Sequence, residues 1–366
     1  MSNYIKKLTI ILTLKGRDEF TYRWMGYMNA NKCPFKIIIA DGGDGMQIEA
    51  HLRNVNNFPN LDYDYIRYPF DVNVDSFYKK LENVISIVKT DYILQADNDD
   101  FFLLDRIPRL IEFLDQNPDY VAARGHLVNF EVYNEKGISK AQVRGCCYNA
   151  YEKNAPSITD DCPLIRIEKL CHGMADYDYY SNWYSVIRTS PLQKIWSDLI
   201  TIPIKEVIVL EILTHVFLMH AGKLKVISSP FYLRQSNTSV FGDTLVLENQ
   251  FLERCIYNNA FSEFPYAVKS FMGLDDEGAS KDVLKSIAWW LNIFIFNIQH
   301  RNNLSSGGLR RCLIQIKHFP FFGFMFQRAK WALSDFFIFG SNRQRIMLKE
   351  IEPFIISSNH AKDYYG

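Results

Sequence analysis

The sequence has no excess charge of either sign. Its 41 Lys and Arg balance 41 Asp and Glu over 366 residues. If that balance is evenly spread, it argues against a dedicated nucleic-acid binder, whose footprint is a strongly basic surface. There is no C-x-x-C pair. The seven cysteines (Cys33, Cys146, Cys147, Cys162, Cys171, Cys255 and Cys312) are odd in number and scattered. That usage reads as reduced and intracellular, and the spacing of Cys162, Cys171 and His172 matches no zinc pattern. There is no long apolar run. Ile287 to Ile298 is broken by Asn292 and Asn297, well short of the ~18 apolar residues a span needs. The apolar stretch near the N-terminus is too short for a signal peptide. These absences predict a cytoplasmic chain, soluble or peripheral to a membrane. Repeats, low-complexity tracts, G-x-G-x-x-G and P-loop signatures are missing as well.

What is present is an ordinary globular composition, 48% hydrophobic and 15% aromatic. It excludes disorder, collagen and coiled coil, and the length allows one large α/β domain with an extension, or two to three domains. The first part alternates strand and helix signals. Leu8–Leu14 is a continuous apolar, β-branched run, as in a strand buried on both faces. Asp18 can cap a helix with Phe20, Trp24, Tyr27 and Met28 on one face. Phe35–Ala40 reads as a second buried strand, and Tyr63–Tyr68 as a weaker one. Val74–Val88 has helical spacing, and Tyr92–Ala96 is the next strand. A helix starts near Pro108, Asp119–Arg124 is a strand, and Asn134–Gly137 looks like a hairpin turn. From about Gly242 the pattern turns helical, at Leu245–Asn258 and Ser280–His300.

That order predicts a largely parallel, doubly wound sheet, with ligands at the carboxyl ends of its strands. The polar residues follow the strands accordingly: Lys15-Gly16-Arg17, Asp41-Gly42-Gly43, and Asp97-Asn98-Asp99-Asp100. Three carboxylates in four residues repel one another unless a cation or solvent relieves them. Their oxygens suit hard divalent ions, Mn²⁺ or Mg²⁺. A solvated turn capping the next helix would carry the same residues. Lys15 and Arg17 can meet phosphate oxygens as cations or serve as plain loop charges.

Taken together, TIILTLKGR, IIIADGGDG and YILQADNDDFF resemble the nucleotide-binding half of the inverting, family-2-like glycosyltransferases of GT-A fold. The resemblance is nearest to a bacterial surface-polysaccharide subgroup and covers about residues 8–235. It implies an α/β, Rossmann-like, mostly parallel central sheet with a C-terminal helical extension. The implied division is a catalytic domain at 1–240 and a helical, basic and aromatic region at 241–366. It implies Asp97 and Asp99 as ligands of Mn²⁺ or Mg²⁺, with Asp97 also near the donor ribose. Asp41 then contacts the nucleotide base or ribose. Thr13 stands where the donor loop begins, but this chain has Thr13-Leu14 where the family usually has Pro-Thr, so its hydroxyl is displaced or lost.

The resemblance further implies a general base about eleven residues before a glycine that precedes a strand. LEILTHVFLMHAGKLKVI fits, with Gly222 as the glycine and Glu211 as the base. Leu210 replaces the family's first acid, and Glu206 is a second candidate. Glu211 also lies in an otherwise apolar segment, Val207–Met219, where desolvation favours a proton acceptor of raised pKa. A solvent-facing Glu paired with His215 is the other reading. His215 and His220 are five apart and read as no metal pair. In residues 172–190, aromatics alternate with Asp in a way that suits an acceptor sugar. Asp176, Asp178 and Trp183 are expected to face it, and Tyr184–Ile187 to be structural. Arg234 is expected either near the donor diphosphate or as a plain loop arginine.

The charge balance is uneven. Residues 301–349 carry nine Lys or Arg and a single acid, Asp335, hence +8 against −8 elsewhere, and nine aromatics fall between Phe319 and Phe339. Basic charge interleaved with Phe and Trp suits peripheral contact with an anionic membrane. A packed helix pair would look the same, and no nucleic-acid motif is present. The expected partners are a nucleotide-sugar donor and a glycan or lipid-linked acceptor. A sugar nucleotidyltransferase and a non-catalytic sugar- or nucleotide-binding protein are the rival readings.

Overall fold

In the computed structural model the described residues are chiefly 2–133, 142–146, 156–176, 179–202, 207–235, 263–272 and 280–291. After a short helix α1 (Ser2–Ile5), the chain alternates as the sequence predicts: β1 (Leu8–Leu14), α2 (Asp18–Ala30), β2 (Lys36–Asp41), α3 (Met46–Arg53), β3 (Tyr63–Arg67), α4 (Val74–Ser86) and β4 (Tyr92–Ala96). A two-residue β5 (Phe101–Phe102), α5 (Ile107–Gln116), the long β6 (Tyr120–Tyr133) and β7 (Gln142–Cys146) follow. Then come α6 (Pro163–Asp176), β8 (Val186–Arg188), α7 (Thr189–Leu199), α8 (Val207–Ala221), β9 (Lys223–Gln235) and α9 (Glu263–Met272).

The strands form one nine-stranded sheet in the order β3-β2-β1-β4-β8-β6-β9-β5, with β7 paired to β6. The β1, β2, β3 and β4 neighbours are parallel, as are β6 and β9, while β8, β5 and β7 run antiparallel to their partners. β1 is central, and six of its seven residues are buried. That is why it reads as an unbroken apolar run rather than an alternating one. Its Ile11 faces one core with Leu81, Trp196 and the α8 residues Val209 to Met219. Its Ile10 and Leu12 face the other with Trp24, Leu52 and Leu110. Helices on both sides of a mostly parallel sheet make the expected three-layer α/β architecture.

The helix α2 departs from expectation at its start. Asp18 is its first residue rather than its cap. Arg17 takes the cap position at φ 64° and ψ 49°, with no side-chain capping bond. Gly222 follows α8 and leads at once into β9, the helix, glycine, strand order that the sequence predicts. A Cβ there would lie 2.9 Å from Val121 Cβ and 3.0 Å from Asp119 O, so only glycine fits without movement. β6 and β7 pair antiparallel from Tyr133 opposite Gln142, while the expected turn at 134–137 lies outside the described residues. So do the helix expected at 245–258, the boundary near 240 and all of 301–349. The helical stretch 280–291 and α9 bury Val283, Ile287, Trp290, Ala267 and Val268 in the same core as α8. No helix among the described residues is long and apolar enough to cross a membrane.

Candidate active site

Three parallel strands deliver the polar loops to one edge. β4 ends at Ala96, and the next four residues carry Asp97, Asp99 and Asp100, which can each bring a carboxylate oxygen within 4.8 Å of the others. Asp97 is partly exposed, while Asp99 and Asp100 are buried. Asp100 is fully engaged: Tyr232 donates its hydroxyl to one oxygen, and the Gln235 amide N–H donates to the other at 2.8 Å. Tyr184 donates to Asp97. The Tyr184 and Tyr232 rings stack with centroids 4.3 Å apart and an interplanar angle of 15°.

Burial, with Asp99 beside it, pushes the Asp97 carboxyl up to about 6. Burial first, then Asp99 and Asp97, raises Asp100 well above the usual carboxylate range. Burial and the neighbouring carboxylates likewise raise both tyrosines, so each keeps its proton and donates. Three charges on one short turn are therefore costly, and the neighbourhood answers with arginines. Arg17 Nη2 is 2.8 Å from Asp99 Oδ2. Buried Arg23 donates to the Asp99 carbonyl at 2.8 Å and to Gln235 Oε1 at 2.8 Å. Arg234 is exposed on β9, and its charge lowers both Asp97 and Asp100.

Hard-oxygen donors in this number and proximity fit a divalent ion such as Mn²⁺ or Mg²⁺. Both Asp100 oxygens accept hydrogen bonds within the protein, while Asp97 accepts from Tyr184 and Asp99 pairs with Arg17. The sequence points to Asp97 and Asp99 of this group.

Asp41 ends β2 nearby and is 1% exposed. Its Oδ1 accepts the Gly43 N–H at 2.7 Å, and its Oδ2 accepts from the Tyr65 hydroxyl at 2.5 Å and Arg67 Nη1 at 2.9 Å. The carboxylate is thus rigidly oriented by β3 before any ligand arrives. Lys15 is exposed, with its ammonium 5.4 Å from the centre of the Phe70 ring. Thr13 is partly buried near the end of β1, paired with Ala40. Lys80 is buried; it pairs with Asp71 and donates to the Leu14 carbonyl at 2.9 Å, pinning the end of β1.

Glu211 lies in the second turn of α8 and is partly exposed, while residues 209–210 and 212–219 are buried. α8 ends where β9 begins, at the amino end of the sheet. Its first turns therefore reach toward the carboxyl end, where the aspartates lie. Trp183 is partly buried and meets Trp196 edge-on, centroids 5.8 Å apart. Glu206, Asp178 and the side chain of Asp176 lie outside the described residues. Cys162 is exposed and Cys171 buried, and the Asp97, Asp99 and Asp100 group is the candidate metal cluster among the described residues.

The sequence reading missed four supports of this site. Tyr184 was expected to be structural, yet its hydroxyl meets Asp97. Tyr232, Gln235 and Arg23 gave no signal beyond one: an arginine inside the apolar face of α2 needs a buried partner.

Residues 27–170 match the model of "Glycosyl transferase family 2". No curated protein matches the chain. Among solved structures, Staphylococcus aureus TarS residues 1–349 in complex with UDP-GlcNAc is 15% identical, with a TM-score of 0.49 over 78% of this chain and 72% of that one. The mannosyltransferase PcManGT from Pyrobaculum calidifontis, in complex with GDP-Man and Mn²⁺, is 9% identical, with a TM-score of 0.45 over 99% and 88%.

Proposed function

We propose that the chain, whose residues 27–170 match a family 2 glycosyltransferase model, is a metal-dependent, inverting glycosyltransferase that moves a sugar from a nucleotide-sugar donor to a hydroxyl of a glycan or lipid-linked acceptor. Among the three readings open from sequence, the family assignment selects the transferase. The observation that carries the finer reading is the convergence of Asp97 and Asp99 at the carboxyl end of β4, in reach of three arginines and with Asp100 held apart by Tyr232.

Asp97 and Asp99 would hold Mn²⁺ or Mg²⁺, which supplies positive charge to the leaving diphosphate. Asp41, fixed by Tyr65 and Arg67, orients the base or ribose. Lys15, Arg17 and Arg234 offer cations to the phosphates, and Thr13 lines the donor loop. Glu211 accepts the proton of the acceptor hydroxyl while that oxygen bonds the anomeric carbon from the opposite face. The bond from that carbon to the diphosphate oxygen breaks, the diphosphate takes the electron pair, and configuration inverts. Trp183, with Asp176 and Asp178, is assigned to the acceptor. Glu206 is the alternative base. The setting we assign is surface-polysaccharide assembly, with residues 301–349 touching an anionic membrane face.

Removing a general base costs about 10²–10⁴-fold in rate. Glu211→Gln is therefore expected to lower kcat within that range while donor binding, read by calorimetry, stays unchanged. Full activity in Glu211→Gln together with loss in a Glu206→Gln variant would move the base to Glu206.

A further inference from the structure

The loop between β1 and α2 holds a side chain whose position is unusual for its residue type. Gly16 has φ 71° and Arg17 has φ 64°. A left-handed conformation is routine for glycine, but for a bulky side chain it costs of order 1 kcal/mol or more. The strain is held by the first turn of α2, where the Arg17 carbonyl accepts the amides of Phe20 at 3.0 Å and Thr21 at 3.3 Å. Asn98, from within the acidic turn, donates to the Thr21 hydroxyl at 3.0 Å and so ties the two loops together.

That conformation delivers the Arg17 guanidinium to Asp99 Oδ2 at 2.8 Å, with the Asp99 side chain only 6% exposed. Asp99 Oδ2 belongs to the carboxylate that a divalent ion would use. An oxygen at ion-pair distance from a guanidinium cannot also give its full charge to a metal, because two cations at one oxygen repel. In the same position the Arg17 guanidinium carbon lies 4.4 Å from the centre of the Phe20 ring. If the guanidinium leaves Asp99, it can keep this aromatic face and need not be exposed wholly to water.

We propose that Arg17 is the resident counter-ion of the metal site. It neutralises Asp99 while no divalent ion is bound, and it withdraws from Asp99 when one enters. The strained backbone fixes Arg17 at this post, and the released guanidinium is then free to face the phosphates of the donor. The inference rests on the proposed metal-dependent reading, in which Asp97 and Asp99 are the ligands. It adds that metal affinity is set low by a residue outside the ligand set. An enzyme built this way binds the ion weakly when empty and takes it up together with the anionic donor, which supplies a new partner for the displaced arginine.

The test is Mn²⁺ binding to the full chain with no nucleotide present, followed by the electron paramagnetic resonance signal of free Mn²⁺. Arg17→Gly removes the charge and suits the left-handed backbone, so its fold is expected to be at least as stable as the parent's in a melting curve. It should bind Mn²⁺ roughly tenfold more tightly. Arg17→Lys, which keeps the charge, should stay within about twofold of the parent, and so serves if the glycine variant loosens the loop. Equal or weaker Mn²⁺ binding in Arg17→Gly overturns the role of Arg17 while leaving the metal reading intact. Absence of Mn²⁺ binding in parent and variant alike overturns both.

Discussion

Asp100 shows how identical side chains in one short turn are given separate work. All three aspartates face the same repulsion, and Asp100 has both oxygens taken, by Tyr232 and the Gln235 amide. It braces the turn, and in the proposed reading Asp97 and Asp99 hold the metal. The cost of this arrangement is visible in titration. Asp97 in the folded chain is pushed up to about 6, against about 4 in an unfolded chain. Between those values the folded state binds a proton that the unfolded state has lost, so stability falls as pH rises across the window. The melting temperature of the metal-free protein is expected to drop from about pH 4 to about pH 7. Asp97→Asn, which can still accept from Tyr184, should show a shallower drop; an unchanged slope would mean that Asp97 is not strained by its neighbours. At this scale the sequence exposed the carboxylates, because three acids in four residues are locally conspicuous. It hid Tyr184, Tyr232 and Arg23, because their contacts with the aspartate turn join positions 76–132 residues apart.

Elements turn these residues into a site by fixing the strand ends. Lys80 on α4 is 2% exposed, pairs with Asp71, and holds the Leu14 carbonyl at the end of β1. Removing one partner of a buried pair strands the other charge and costs about 3–5 kcal/mol. Lys80→Met is therefore expected to lower the unfolding free energy, read from denaturant melts, by that amount, and adding Asp71→Asn should recover part of it. Gly222 fixes the other side, where α8 meets β9. The contacts that a Cβ would make there, at 2.9–3.0 Å, are with β6 and its lead-in. Overpacking of that kind costs about 1–3 kcal/mol, so Gly222→Ala should destabilise the chain less than Lys80→Met does. Strands β1, β2 and β4 were legible almost to the residue, because burial on both faces leaves an unbroken apolar run. Asp18 was misread as a cap because the backbone of Arg17 adopts a conformation that local sequence does not advertise. α6 left no pattern distinct enough to separate it from the aromatic segment that follows.

At the scale of the whole molecule, the even charge count conceals a division. Residues 301–349 carry +8 and the rest of the chain −8, which suits an acidic catalytic body that needs a cation and a basic segment that can meet anionic lipid. If that segment touches membrane, the chain should sediment with vesicles containing about one-third anionic lipid, and release at high salt as screening shortens. Equal sedimentation with neutral vesicles would contradict an electrostatic contact. The three-layer sheet brings the loops after β1, β2 and β4 to one edge, and the account of this molecule turns on what binds there. The most direct test is a thermal-shift screen of UDP-, GDP-, CDP- and CMP-sugars with and without Mn²⁺, run in parallel on Asp99→Ala. A ligand held at a hundred times its Kd stabilises the folded state by about 2.7 kcal/mol. One nucleotide-sugar class is predicted to raise the melting temperature only with Mn²⁺ and only when Asp99 is intact. A shift of the same size in Asp99→Ala, or none with any donor, would contradict the assignment of this edge as a metal-dependent donor site.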